Sequence, residues 1–315
     1  MTSRDEGRGR GLRLGAKWTA ALLLAAAVMG MGPAAYALGP ADRAGVSQES
    51  TVELASAAAA APGRDQAKPD STPVPGEKRP APSRMAIIID DLGNGMKGTD
   101  EMFELPVKLT VAVMPFLPTT QADAARAHKR GDDVLLHLPM EPRQGKPEWL
   151  GPGAVLARMS DGEVRKRVEA ALDDVPYAIG INNHMGSKVT GDERVMRIIL
   201  DVCRERGLFF VDSKTNYRSV VGRMALEMGL PKVENQIFLD DIHTAGHVSK
   251  QMSLAGKMAR DNRFCITIGH VGVQGRQTAA GIRTGYESLK NQVVFVGISD
   301  LLREEWHWTP KPLLP

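Results

Sequence analysis

The chain has 315 residues, a formal charge of +3 and only 5% aromatic side chains. So small a positive charge gives no electrostatic footprint for nucleic acid, and so few rings make no stacking platform for single strands. The length allows one large domain or two small ones.

Arg4, Arg8, Arg10, Arg13 and Lys17 precede an apolar run from Thr19 to Met31, and Ala35-Tyr36-Ala37 offers a small-x-small cleavage site. This is the layout of a secretory signal peptide over residues 1–37. An uncleaved N-terminal anchor is the alternative, although Gly30, Gly32 and Pro33 interrupt the run. Both readings export the remainder to the periplasm or cell envelope, with membrane contact only through that first segment. Residues 38–84 are Ala, Pro, Ser and charge, too poor in large apolar side chains to offset the entropy of ordering. They are expected to be a disordered linker, extended in its later half by Pro62, Pro69, Pro73, Pro75, Pro80 and Pro82.

From Met85 onward, short β-rich runs alternate with helical patterns. The strand candidates are Ala86–Ile89, Leu109–Met114, Asp133–Leu136, Ala178–Ile181, Leu208–Val211, Gln236–Leu239, Cys265–Ile268 and Val293–Val296. Ser160 and Glu163 form a capping box that opens one helix, and Thr190-Gly-Asp-Glu193 is expected to open another. Gly131 and Gly207 are placed to stop helices. About eight parallel strands in one region over 85–315 predict a single (β/α) barrel. Cys203 and Cys265 sit at apolar-periodic positions and are expected to be buried and free, although an exported chain permits a disulfide. No Cys-x-x-Cys pair supports a thiolate zinc site.

Most of these runs end in polar residues. Asp90-Asp91, His137, Asn182-Asn183-His184, Asp212 and Gly269-His270 each follow one. Groups at the carboxyl ends of parallel strands converge on one face. Three carboxylates and three imidazoles arriving together suggest metal-assisted hydrolysis, with N/O ligands, a general base and a general acid. Neighbouring residues on a strand point to opposite faces, but a turn at a strand end lets both Asp90 and Asp91 reach one site. Each also has an ordinary alternative: Asp as a helix cap, a partly buried His, Asp212 as a turn cap.

Ile87-Ile-Ile-Asp-Asp-Leu-Gly93, Leu136-His-Leu-Pro-Met-Glu-Pro142, Gly180-Ile-Asn-Asn-His-Met-Gly-Ser187 and Phe210-Val-Asp-Ser213 resemble the divergent polysaccharide deacetylases, exported relatives of the NodB-type carbohydrate deacetylases. The resemblance covers Met85 to Leu302. It implies an α/β fold, the distorted (β/α) barrel of the NodB/glycoside hydrolase-deacetylase type, and one divalent metal, zinc by preference. It further implies Asp90 as base, Asp91 and His137 as ligands and His270, in Ile268-Gly-His, as acid. Asp212 is expected to orient His270 or bind substrate, and Asn183 and Ser187 to contact substrate.

One departure stands out. The second His of His-[Ser/Thr]-x-x-His is Glu141 here, either an oxygen ligand or a support for His137. His184, where many relatives carry Arg, is expected to supply the missing imidazole. His243-Thr-Ala-Gly-His247 matches the motif by letter but lies late in the chain beside Asp240-Asp241, as an exposed helix start would. The expected function is an exported metal-dependent deacetylase of N-acetyl glycan, such as peptidoglycan. The alternative is a catalytically impaired barrel that binds envelope glycan or a cell-wall partner.

Overall fold

A computed structural model describes residues 82–314. The expected signal peptide and nearly all of the expected linker lie outside those residues. No helix among the described residues is long and apolar enough to cross a membrane.

The chain alternates strand and helix, as the sequence pattern requires. β1 (Arg84–Leu92) leads to α1 (Thr99–Phe103), and β2 (Thr110–Val113) to α2 (Thr120–Arg130). β3 (Asp133–Met140), α3 (Asp161–Asp174), β4 (Ala178–Met185) and α4 (Glu193–Arg206) follow. After β5 (Phe209–Asp212) and α5 (Val221–Glu227) come two short strands, β6 (Val233–Glu234) and β7 (Ile237–Phe238). The chain then runs through α6 (Ala245–Asn262), β8 (Phe264–His270), α7 (Gly275–Leu289), β9 (Val294–Val296) and α8 (Ile298–Glu305).

All pairings between strands are parallel, in the order β6-β5-β4-β3-β2-β1-β8-β7, with β9 beside the first residues of β1. This curled sheet is the expected distorted (β/α) barrel. The segment between β6 and β7 stitches β5 to β8. Asn235 N–H donates to the Asp212 carbonyl at 2.9 Å, and Gln236 N–H to the Ile266 carbonyl at 3.0 Å. The Gln236 side-chain oxygen accepts the Ile266 N–H at 2.7 Å, an amide serving as an extra rung where the strands are too short.

The strands bury both faces, which explains their continuous apolar runs. Met85, Ile87 and Ile89 of β1 point outward to the helices, with Leu136, Ile181 and Phe210 of neighbouring strands. Ala86, Ile88, Leu135, Phe209, Val211, Ile266 and Ile268 fill the interior with Ile298, Leu301 and Leu302 of α8. α8 seals the end where the strands begin. Its Ile298 N–H donates to Thr110 Oγ1 at 3.0 Å and its Ser299 N–H to Asp133 Oδ2 at 2.7 Å. The opposite, carboxyl end stays open.

Local signals hold where they are short-range. Ser160 and Glu163 form the capping box of α3, and Gly131 and Gly207 end α2 and α4 at φ of 86° and 70°. The start of α4 differs from expectation: Asp192 caps it through Val195 N–H, while the Thr190 hydroxyl bonds the Gly186 carbonyl in a preceding 3₁₀ turn. Cys203 and Cys265 are buried and free, and burial pushes the Cys265 thiol up to about 12.

Candidate active site

The strand phase selects the site. Asp90 continues the inward series Ala86, Ile88; His137 follows Leu135; His270 follows Ile266 and Ile268. β4 runs through Met185, so Asn182 and His184 share the inward phase and Asn183 does not. Asp91 should point outward, but its φ of 69° breaks the alternation at the bulge between Ile89 and Leu92. A left-handed aspartate in a strand is a local strain of about 1–3 kcal/mol, and such strain concentrates at functional sites. It turns consecutive carboxylates into one cavity.

Asp91 Oδ1 lies 3.0 Å from His184 Nδ1 and 3.3 Å from His137 Nε2, and those two nitrogens are 3.2 Å apart. The far nitrogen of each ring is committed elsewhere. Asn182 donates from Nδ2 to Asp90 Oδ1 at 2.8 Å, so its Oδ1 faces His137 and accepts the Nδ1–H at 2.8 Å. His184 donates from Nε2 to the Trp149 carbonyl at 3.1 Å. With the far nitrogens so committed, His137 Nε2 and His184 Nδ1 both face Asp91 Oδ1, a buried oxygen with no hydrogen-bond partner.

Asp91, His137 and His184 form the only metal-capable cluster of three among the described residues. The spacing fits a divalent ion. Ligand atoms about 2.0–2.1 Å from a tetrahedral centre stand about 3.3 Å apart. The electrostatics agree. Burial alone would raise the Asp91 carboxyl, but the flanking imidazoles hold it well below the usual carboxylate range. Burial would likewise lower His137, yet Asp90 and Asp91 drive it up. The cavity favours positive charge.

Asp90 is 2% exposed, and burial, outweighing the nearby imidazoles, raises its carboxyl. His270 pairs with Asp90 across the β1–β8 ladder. Its Nδ1 bonds Asp240 Oδ1 at 2.9 Å, and Asp240 Oδ2 accepts the His270 N–H at 2.7 Å and the Thr278 hydroxyl at 2.9 Å. Burial would lower this imidazole, but Asp240 pushes it up to about 10.

Several expectations need correction. Asp212 does not orient His270; it follows outward-facing Phe210 and accepts the Lys214 N–H at 2.8 Å. Asp240 takes that role, and it obeys the strand-end pattern because it follows Gln236–Leu239. Glu141 neither joins the metal cluster nor holds His137. Its carboxylate pairs with Lys188 Nζ at 2.7 Å and accepts the Ala157 N–H at 2.7 Å. Asn183 spends its amide on the Met185 carbonyl, Thr215 and the Ser213 N–H, tying β4 to the β5 end. Ser187 Oγ accepts the Arg143 N–H at 3.0 Å. His243 and His247 stay at the exposed start of α6, His247 against Asp241 at 2.6 Å. Sequence reasoning missed the roles of Asn182 and the Trp149 carbonyl. Strand phase could have found Asn182; no residue type announces a backbone carbonyl.

Residues 87–302 match the divergent polysaccharide deacetylase family, and the chain belongs to that family. An uncharacterized protein of Haemophilus influenzae is 36% identical over 234 residues, covering 74% of this chain and 82% of that one. The uncharacterized protein YibQ of Escherichia coli is 35% identical over 187 residues, covering 59% of this chain and 58% of that one. Among solved structures, an uncharacterized protein from Agrobacterium tumefaciens shares the fold at a TM-score of 0.65 and 21% identity, covering 71% of this chain and 91% of that one.

Proposed function

We propose that this protein is an exported, metal-dependent deacetylase of N-acetylated glycan. The observation that carries the reading is the convergence of Asp91 Oδ1, His137 Nε2 and His184 Nδ1, with Asp90 beside His137 and His270 across the ladder. A divalent ion held by these three ligands supplies Lewis acidity for the acetyl carbonyl and lowers the pKa of water toward ~7. Asp90, its Oδ1 occupied by Asn182, has its second oxygen left to take the proton of the attacking water. A raised carboxyl pKa makes it a better base near neutral pH. His270, kept protonated by Asp240, donates from Nε2 to the leaving amine. Acetate and a free amino sugar result. The N-terminal layout of basic, apolar and small-residue segments supports export to the periplasm or envelope.

The test is acetate release from chitin oligomers and peptidoglycan fragments by zinc-loaded protein. Asp90→Asn should keep the metal and lose roughly 10²- to 10⁴-fold in rate, the range for general acid–base groups. Zero release across the panel, with glycan binding that Asp90→Asn leaves intact, would establish the non-catalytic binding barrel instead.

A further inference from the structure

Leu92, Gly93 and Gly95 follow the left-handed Asp91, and each bonds to the segment that leads into α2 or to α2 itself. The Leu92 carbonyl accepts the Met114 N–H at 2.8 Å, and the Gly93 carbonyl accepts the Thr119 N–H at 2.8 Å. Gly93 N–H donates to Asp123 Oδ2 at 2.9 Å, and Gly95 N–H to Thr119 Oγ1 at 3.0 Å. The Thr119 hydroxyl in turn donates to the same Asp123 oxygen at 2.7 Å. The turn has no room to shift. A Cβ at Gly93, itself at a φ of 117°, would stand 2.8 Å from the Met114 carbonyl oxygen and 3.3 Å from Thr120 Oγ1.

Two of these side chains serve the turn instead of their own helix. Thr119 stands where a threonine hydroxyl ordinarily caps the first N–H groups of a helix, yet it makes no side-chain cap bond to α2. Asp123 is a buried carboxylate, and the two donors on its Oδ2 are the turn's Gly93 N–H and the Thr119 hydroxyl, with no cation between them. The amino end of α2 eases the burial of that charge. Its hydrogen bonds nonetheless go to the β1 turn. A residue in a sparsely populated torsion keeps it only where the surrounding structure over-determines it. At Asp91 those surroundings are Asp123 and Thr119.

We propose that Asp123 and Thr119 are positioning residues for the metal centre. They fix the left-handed torsion of Asp91 through the main chain of Gly93 and Gly95, and so set zinc affinity without touching a ligand side chain. If the turn relaxed to an ordinary strand torsion, the Asp91 carboxylate would point outward, away from His137 and His184. The inference rests on the assignment of Asp91 as a ligand.

The test measures zinc affinity and the Asp91 torsion in full chains carrying single substitutions. Asp123→Ala removes the acceptor for Gly93 and Thr119. Competition with a chromophoric chelator should show zinc affinity reduced roughly 10- to 100-fold, the range for residues that orient a ligand. Asp123→Asn keeps a side-chain oxygen for both donors and should recover most of that affinity. Thr119→Val keeps the side-chain shape, loses the hydroxyl and should weaken zinc by a smaller factor. Val168→Ala, which opens a cavity in the core beneath α3, is the control for lost stability alone and should bind zinc as the native chain does. NMR of the metal-free chains reads the torsion itself. The amide–Hα coupling and carbon shifts of Asp91 should be left-handed in the native chain and in Asp123→Asn, and should lose that signature in Asp123→Ala. If Asp123→Ala does not fold, Thr119→Val decides by the same two measurements. Native zinc affinity with a left-handed Asp91 in the alanine variant would overturn the proposal. So would an equal loss of zinc in Val168→Ala. A native chain that binds no zinc, with the torsion still lost in Asp123→Ala, removes the metal reading and leaves the control of Asp91 by α2 standing.

Discussion

Asp90 and Asp91 are consecutive in β1, yet both carboxylates open into the same cavity because Asp91 adopts a φ of 69°. One is set beside Asn182 as a buried carboxylate with a free oxygen, the other among two imidazoles. Their environments push their protonation in opposite directions, Asp90 up and Asp91 down. That separation is how two like groups acquire different tasks.

The ligand assignment is open to direct measurement. His137→Ala and His184→Ala should each lose most of the bound zinc by elemental analysis. His243→Ala and His247→Ala should retain it, since His243 lies just before α6 and His247, in its first turn, pairs with Asp241. The reverse pattern would relocate the metal.

Asn182 holds His137 and Asp90 at once, at 2.8 Å each. Asn182→Ala removes both bonds without touching a ligand. Competition with a chromophoric chelator should show zinc affinity reduced by about 10- to 100-fold, as for other residues that orient a ligand. Asn182→Asp keeps the acceptor for His137 but sets a carboxylate against Asp90. An unchanged affinity in both variants would mean that the strand alone positions the ring.

Glu141 gives a sharper case. Its ion pair with Lys188 is at the surface, where such pairs contribute about 0–1 kcal/mol. Glu141→Gln keeps an oxygen for the Ala157 N–H. Zinc affinity should be unchanged and the melting temperature nearly so. A tenfold loss of zinc would restore Glu141 to the metal site.

His270 should remain protonated well above the ordinary histidine range, because Asp240 holds it up to about 10. NMR titration of its ring should show a midpoint well above ~6.5, and Asp240→Asn should bring it down. The folded value is raised, so the pair's stabilisation is full below the unfolded value of ~6.5 and is lost as pH rises through about 10. The melting-temperature gap between native protein and Asp240→Asn should accordingly be widest near pH 6 and close toward pH 10. A gap that widens with pH would reverse the assignment.

A chain beginning at Pro82 should melt as cooperatively as the full chain. Ser83 already supplies its carbonyl to Val294 N–H at 2.8 Å, and β1 starts at Arg84. Circular dichroism with heating checks it; a broad, non-cooperative melt would mean that earlier residues complete the barrel.

The sequence by itself determined the parts whose physics is local or periodic. Ser160 and Glu163 meet across one helical turn, so their capping box is visible in the letters. The runs at Ala86–Ile89 and Cys265–Ile268 bury both faces, so they read as strands, and the phase of each carries Asp90 and His270 inward. Tertiary structure decided what depends on distant partners or on backbone torsion. Asp91 enters the site only through its left-handed turn, and the outward phase of Asp212 leaves His270 to Asp240, which an Asp-Asp pair before a helix had disguised. The Trp149 carbonyl that sets His184 belongs to the main chain and has no signature in residue type.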